Sequence, residues 1–235
     1  MVGDLIQVVY TNSNCNDVFI PFYGQNKKHC KLPLFVVSDY DINVVVDGFF
    51  KYSNNEQYYK VWVDALIKFG AEYFIYLQED FFLYADVKED ILEIYKNQLE
   101  SSDYSFVRLL KSGKLGTKAI FNNLYEIEST NENIFSMQAT IWKTVDYIKL
   151  METAGSRGWL ETDADYRRIM TELNMKGLYH FDGEPKVGSN HHDSNVYSYI
   201  ATAVVKGKWN YKEYQHQLGL ILTKHNIDPY KRGLL

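Results

Sequence analysis

Tyr73-Phe74-Ile75-Tyr76-Leu77-Gln78-Glu79-Asp80-Phe81-Phe82 is an apolar run that ends in two adjacent carboxylates and then resumes as apolar. Residues 73–77 are aromatic, β-branched or leucine, which predicts a strand buried on both faces, as parallel sheets require. Charges are seldom buried unless they are paired or hold a cation. In an open α/β sheet, ligands bind outside the carboxyl ends of the strands, and Glu79 and Asp80 fall at such an end. An acidic pair facing a cleft suits a hard divalent cation that also holds phosphate oxygens. The plain alternative is a strand end that reaches solvent.

Elements on either side extend the pattern. Leu5–Tyr10 predicts a first strand, closed by the polar cluster Thr11-Asn12-Ser13-Asn14, and residues 34–39 a second, ending in Asp39. Val44–Val46 predicts a short third strand. Ser53 with Glu56 has the spacing of a capping box, and Tyr58, Val61, Trp62, Ala65, Leu66 and Phe69 follow helical periodicity up to Gly70. Asp86 and Glu89 open another helix, with Ile91, Ile94, Tyr95 and Leu99 as its apolar face. Further strands are expected at 104–110, 118–127 (as a hairpin arm), 134–142 and 178–181. Helices are expected from Thr144 to Gly155, from Thr162 towards Gly177, and over 212–226 with Tyr214, Leu218, Ile221 and Leu222 inward. Alternation of strand and helix makes this an α/β chain with a mostly parallel central sheet flanked by helices. The expected organisation is one domain over 1–235: a nucleotide-binding half over 1–100, an acceptor and catalytic half over 101–211, and a C-terminal helix over 212–235.

Composition narrows the function. The chain has 235 residues and a formal net charge of −5, with dispersed lysines, which argues against a nucleic-acid partner. No run approaches the ~18 apolar residues of a membrane span. The N-terminus has no signal-peptide pattern, and the two cysteines, Cys15 and Cys30, are expected as reduced thiols, so a cytoplasmic protein is expected. No G-x-G-x-x-G follows the first strand and no G-x-x-x-x-G-K-[ST] occurs, which sets aside the dinucleotide and Walker-type phosphate cradles.

Several residues carry candidate chemistry in their own right. Arg108, inside Phe106-Val107-Arg108-Leu109-Leu110, keeps its charge wherever it is placed and is expected to meet a buried acid or a phosphate. His191 and His192, in a polar loop, are candidates for a metal or diphosphate contact; a solvated pair is the alternative. Trp159, in a glycine-flanked turn, suits sugar stacking. Trp142 and Trp209 are expected in the core.

The layout resembles the GT-A (Rossmann-like) glycosyltransferases, and in particular small bacterial and viral members in which an E-D-F metal motif is followed by S-x-Q-x-x-x-W-K. The matching stretches are Glu79-Asp80-Phe81, Val107-Arg108-Leu109, Ser136-Met137-Gln138-Ala139-Thr140-Ile141-Trp142-Lys143, Trp159-Leu160-Glu161 and Lys206-Gly207-Lys208-Trp209, spanning roughly residues 5–210 in order. Gln78 stands where the D-x-D form of the motif has its first aspartate. The resemblance implies a metal-dependent transfer of a hexose or deoxyhexose from a nucleoside diphosphate-sugar, most readily a UDP-sugar, to a hydroxyl of a glycan or glycolipid. It implies Mn2+ or Mg2+ at Asp80, with Glu79 beside it. Thr11, Asn12 and Asp39 would line the base and ribose pocket, and Gln138 would serve the donor. Inversion at the sugar needs a carboxylate base. In the relatives an acid lies three residues after the tryptophan; here position 162 is Thr, so Glu161 and Asp163 are both candidates, Glu161 first because it precedes the helix cap. Alternatives are a nucleotidyltransferase acting on a sugar phosphate, which should carry a glycine- and base-rich loop after the first strand, and a catalytically silent nucleotide- or sugar-binding module.

Overall fold

The computed structural model describes residues 5–157 and 163–235. In chain order the elements are β1 (Leu5–Tyr10), α1 (Asn16–His29), β2 (Leu34–Ser38), β3 (Gly48–Lys51), α2 (Tyr58–Phe69), β4 (Tyr73–Gln78), β5 (Phe82–Leu83) and α3 (Glu89–Glu100). There follow β6 (Phe106–Arg108), β7 (Ala119–Phe121), β8 (Leu124–Ile127), β9 (Thr140–Lys143), α4 (Thr144–Ser156), α5 (Asp163–Glu172) and β10 (Gly177–His180). The chain ends with β11 (Lys186–Val187), β12 (His191–His192), β13 (Tyr199–Ile200), β14 (Val204–Val205), β15 (Lys208–Trp209), α6 (Tyr211–Lys224) and α7 (Pro229–Arg232).

A nine-stranded sheet in the order β3-β2-β1-β4-β9-β6-β10-β8-β7 forms the middle layer. β3, β2, β1 and β4 are mutually parallel, and β10 is parallel to β6. β9 runs against both β4 and β6, and β8 against both β10 and β7. The chain moves outward from β1 to β2 and β3, then crosses back to lay β4 on the other side of β1. That reversal makes the carboxyl ends of β1 and β4 a topological switch point, where an α/β sheet opens a crevice.

The period-two rule explains how one apolar run fills two cores. In β4, Tyr73, Ile75 and Leu77 face one layer, with Phe19 and Phe22 of α1, Leu92 and Leu99 of α3 and Leu218 and Ile221 of α6. Phe74 and Tyr76 face the other, with Val61, Trp62 and Leu66 of α2, Tyr147 and Leu150 of α4 and Ile169 and Met170 of α5. Each fully buried side chain of this size contributes about 1.5–3 kcal/mol before entropy is counted. Trp142 and Trp209 are both buried, as expected. Among the described residues no helix is long and apolar enough to cross a membrane.

Several local expectations give way to tertiary context. The third strand is Gly48–Lys51, not Val44–Val46, because Leu34 N donates to Asp47 Oδ2 and Asp47 N to Leu34 O, which brings the chain into register only there. Helix α2 starts at Tyr58 rather than at the capping box, of which only the Ser53 N–H to Glu56 Oε1 bond (3.2 Å) forms. The buried face of α3 is Leu92, Tyr95, Lys96 and Leu99, and Ile94 is exposed. The expected strand at 134–142 is confined to Thr140–Lys143, preceded by a loop. Gly155 lies inside α4 rather than ending it, and Gly177 opens β10.

Candidate active site

β1 and β4 end side by side, Tyr10 opposite Gln78 in the register. Two cavities open there. One, of about 330 Å³, is lined by Tyr10, Asn12, Cys15, Val18, Tyr58 and Glu79. The other, of about 470 Å³, includes Ser112, Asn133, Ser136, Gln138, His191 and Thr202 in its walls. Gln78, Asp80, Met137 and Val204 belong to both linings, so the end of β4 is the partition between two chambers of one cleft.

The acidic pair sits on that partition, half-buried. Val204 N donates to Asp80 Oδ2 at 3.1 Å. Burial, and next the neighbouring Glu79 charge, push the Asp80 carboxyl up to about 7 from an ordinary 3.8. Burial also raises Glu79, against the Cys15 thiol that bonds to it and the positive field of Arg232. Two acids held this way want positive charge. The described residues contain no group of three or more His, Cys, Asp or Glu able to enclose a cation. Asp80 and Glu79 are the acids there that could hold a divalent ion, which with so few protein ligands would need substrate phosphates to complete its shell. Gln78 turns its amide nitrogen inward, donating to Tyr76 Oη (3.1 Å) and contacting Met137 Sδ (3.4 Å).

The turn after β1 is built by short polar side chains. Asn12 Oδ1 accepts from Asn14 N at 3.0 Å, capping a 3-10 turn over Ser13–Cys15. Asp39, at the end of β2, accepts from Ser13 N (2.7 Å) and Ser13 Oγ (2.9 Å). Asn12 lines the first chamber as expected from its strand-end position. Asp39 instead braces the turn, and Thr11 is fully buried, so Tyr10 takes the lining position assigned to Thr11.

In the second chamber Gln138 and His191 are joined, Nε2 to Nε2 at 2.9 Å. His192 points away from the cleft: its Nδ1 bonds the Glu184 carbonyl at 2.9 Å and its ring meets Phe181 edge-on. Successive residues of a strand face opposite ways, so of the two candidates His191 lines the cleft and His192 does not. Arg108 is also outside the linings. It is buried behind the wall, donating from Nη2 to the carbonyls of Asn133 (2.9 Å) and Ile134 (3.1 Å). Trp159 and Glu161 lie outside the described residues, and Asp163 opens α5.

Sequence reasoning missed Tyr10, Cys15, Met137 and the buried Tyr199 that orients Gln138. Tyr10 and Cys15 flank the polar turn and were within reach of a strand-end argument. Tyr199 carried no local signal.

No family model matches the chain. No curated protein matches it either. Solved structures with a similar chain path include S. aureus TarS 1–349, with a TM-score of 0.48 and 10% identity over 97% of this chain and 68% of that one. CMP:2-keto-3-deoxy-manno-octonic acid synthetase complexed with CTP gives a TM-score of 0.48 and 9% identity over 75% of this chain and 89% of that one. The Francisella tularensis 2-C-methyl-D-erythritol 4-phosphate cytidylyltransferase gives 0.48 and 11%, over 80% and 95%.

Proposed function

We propose that this chain is a metal-dependent glycosyltransferase, acting in the cytoplasm as a single domain, that moves a sugar from a nucleoside diphosphate donor to a hydroxyl of a glycan or glycolipid. One observation carries the reading: Asp80 stands in the wall shared by both chambers. A diphosphate held at that partition sends its nucleoside towards Tyr10, Asn12 and Tyr58 and its sugar towards Gln138 and His191. The first chamber has rings on which a base can stack; the second has the amides and hydroxyls that sugar hydroxyls need.

Asp80, with Glu79 beside it, would hold Mn2+ or Mg2+, which when bound offsets the charge of the departing diphosphate. The protein's own groups do the rest. Asn12 and Tyr10 fix the nucleoside, with a UDP-sugar the first candidate donor. Glu161, or else Asp163, takes the proton of the attacking hydroxyl in an inverting displacement.

Nucleotidyl transfer to a sugar phosphate uses a similar acidic pair but must also hold a triphosphate. The β1–α1 connection, Thr11–Cys15, has no Lys or Arg, and the guanidinium of Arg232 beside it is occupied by Asp17 and by the carbonyls of Asn14 and Gly207. That favours sugar transfer.

Thermal-shift titrations with UDP, GDP, dTDP and CDP, each with and without Mn2+, followed by assay of UDP release from UDP-sugars, test the reading. The expected result is Mn2+-dependent stabilisation by one diphosphate and metal-dependent turnover of its sugar. No Mn2+-dependent stabilisation by any of the four sinks it. Pyrophosphate release from a nucleoside triphosphate and a sugar 1-phosphate would shift the assignment to nucleotidyl transfer, and binding without any turnover to a silent module.

A further inference from the structure

The second chamber is polar but lacks a cationic side chain. Amides and hydroxyls dominate its walls, and none of the described residues lining it is Lys or Arg. Asp80 is its acid, and His191 is the one group that could become positive.

A directional hydrogen-bond chain decides the state of His191. Ala139 N donates to Tyr199 Oη at 3.0 Å, and Tyr199 donates onward to Gln138 Oε1 at 2.7 Å. Gln138 then has its Nε2 hydrogens left for His191 Nε2, 2.9 Å away. A nitrogen that accepts has no proton, so the ring is neutral with its hydrogen on Nδ1. That Nδ1 is buried and has no partner among the described residues. Burial, and to a smaller extent the Arg108 charge behind the wall, disfavour protonating the ring further; Glu213 opposes them.

We propose that the second chamber selects an uncharged polyhydroxy sugar and rejects one bearing a carboxylate, with Gln138 and Tyr199 holding His191 neutral. This rests on the reading of the cleft as a nucleotide-sugar site. Sugar hydroxyls donate and accept, so they can satisfy side-chain amides from either end. A uronate carboxylate would leave water and find no cationic side chain in the lining, the metal's charge being already met by Asp80, Glu79 and the diphosphate.

The test is calorimetric titration in Mn2+ with UDP-glucose and UDP-glucuronate, which differ only in the oxidation state of C6, with UDP as reference. GDP-mannose, GDP-mannuronate and GDP are run alongside. The uronate is expected to bind at least about tenfold more weakly than its neutral partner. Asn190 is an exposed residue of the chamber wall, and Asn190→Lys is expected to narrow that ratio to about threefold or less by supplying the missing cation. Equal or tighter uronate binding overturns the proposal. So does binding of the free diphosphate with exclusion of both sugars, which leaves the nucleotide site standing. Failure of every diphosphate to bind removes the functional reading itself, and this proposal with it.

Discussion

Arg232 Nε donates to Asp17 Oδ2 at 2.8 Å, although 215 positions separate the two residues. Arg232 Nη2 takes the other carboxylate oxygen and also the Asn14 carbonyl at 3.0 Å, while the guanidinium lies over Trp209. The last turn of the chain thereby fastens the β14–β15 hairpin to the turn after β1, which supplies Asn12 and Cys15 to the first chamber.

Arg232→Met keeps most of the packing stem and removes the fork. Its expected cost is about 1–2 kcal/mol, from a bidentate pair that is only partly shielded from water. Urea denaturation reads this, and diphosphate affinity should fall with it as the turn loosens. Arg232→Lys should recover little, since an ammonium cannot span both carboxylate oxygens. Unaltered midpoints in both variants would show that the strap contributes nothing.

Asp80→Asn should abolish Mn2+-stimulated diphosphate binding while leaving the fold intact; undiminished metal dependence in that variant refutes the assignment. The pH behaviour has a definite sign. The fold raises this carboxyl to about 7 from 3.8, so folded protein binds more protons than unfolded chain between those values. Stability of the ligand-free protein should be greatest near and below pH 4 as far as this group is concerned, and the contribution is lost as pH rises through about 7. Glu79, also raised, adds in the same direction. Asp80→Asn should flatten much of that decline. Metal-dependent diphosphate binding should strengthen over the same interval, because the ion and the proton compete for one carboxylate.

Glu161→Gln should leave donor affinity unchanged and cut transfer by about two orders of magnitude. Near wild-type transfer in that variant passes the role to Asp163, tested the same way with Asp163→Asn, or points to a retaining course. Product stereochemistry by NMR distinguishes the two.

A substitution far from the cleft tests the packing. Gly177 opposes Phe106 in the β10–β6 register, and a methyl group there would lie 2.0 Å from Phe106 Cζ. Phe106 is buried against Trp142 at 4.7 Å between ring centroids and has little room to yield. Gly177→Ala should therefore cost about 1–3 kcal/mol, where a strand glycine in open surroundings would gain from the change. A midpoint at or above wild type would contradict the observed contact.

Legibility from sequence followed the strength of the local signal. β1, β2 and β4 are dense apolar runs closed by polar clusters, and α2 and α6 have clear apolar stripes, so all five could be read directly. Helix α1 could not, because its buried set mixes Val18, Phe19 and Phe22 with Pro21, Gln25, Asn26 and His29. Asn26 donates to Gln7 Oε1 at 2.7 Å, a partnership across the core that no window of sequence contains. The site divides in the same way. Glu79 and Asp80 stand out because they interrupt an apolar run, and Asn12 because it follows one. Thr11 and Asp39 have the right chemistry and neighbourhood, but burial and bracing bonds, which tertiary packing alone determines, direct them elsewhere. His191 and His192 were one candidate as a dipeptide; strand pleat separates them.

Tyr10 does more than wall a chamber. Its ring is stacked on that of Trp62, with centroids 6.2 Å apart and 25° between the planes, and Trp62 in turn contacts Tyr76 and Tyr147. An indole emits according to its immediate surroundings, so a base laid against Tyr10 perturbs a fluorophore seated one ring deeper. The protein thus has an intrinsic optical reporter next to the first chamber, and occupancy there can be followed by tryptophan emission without a label.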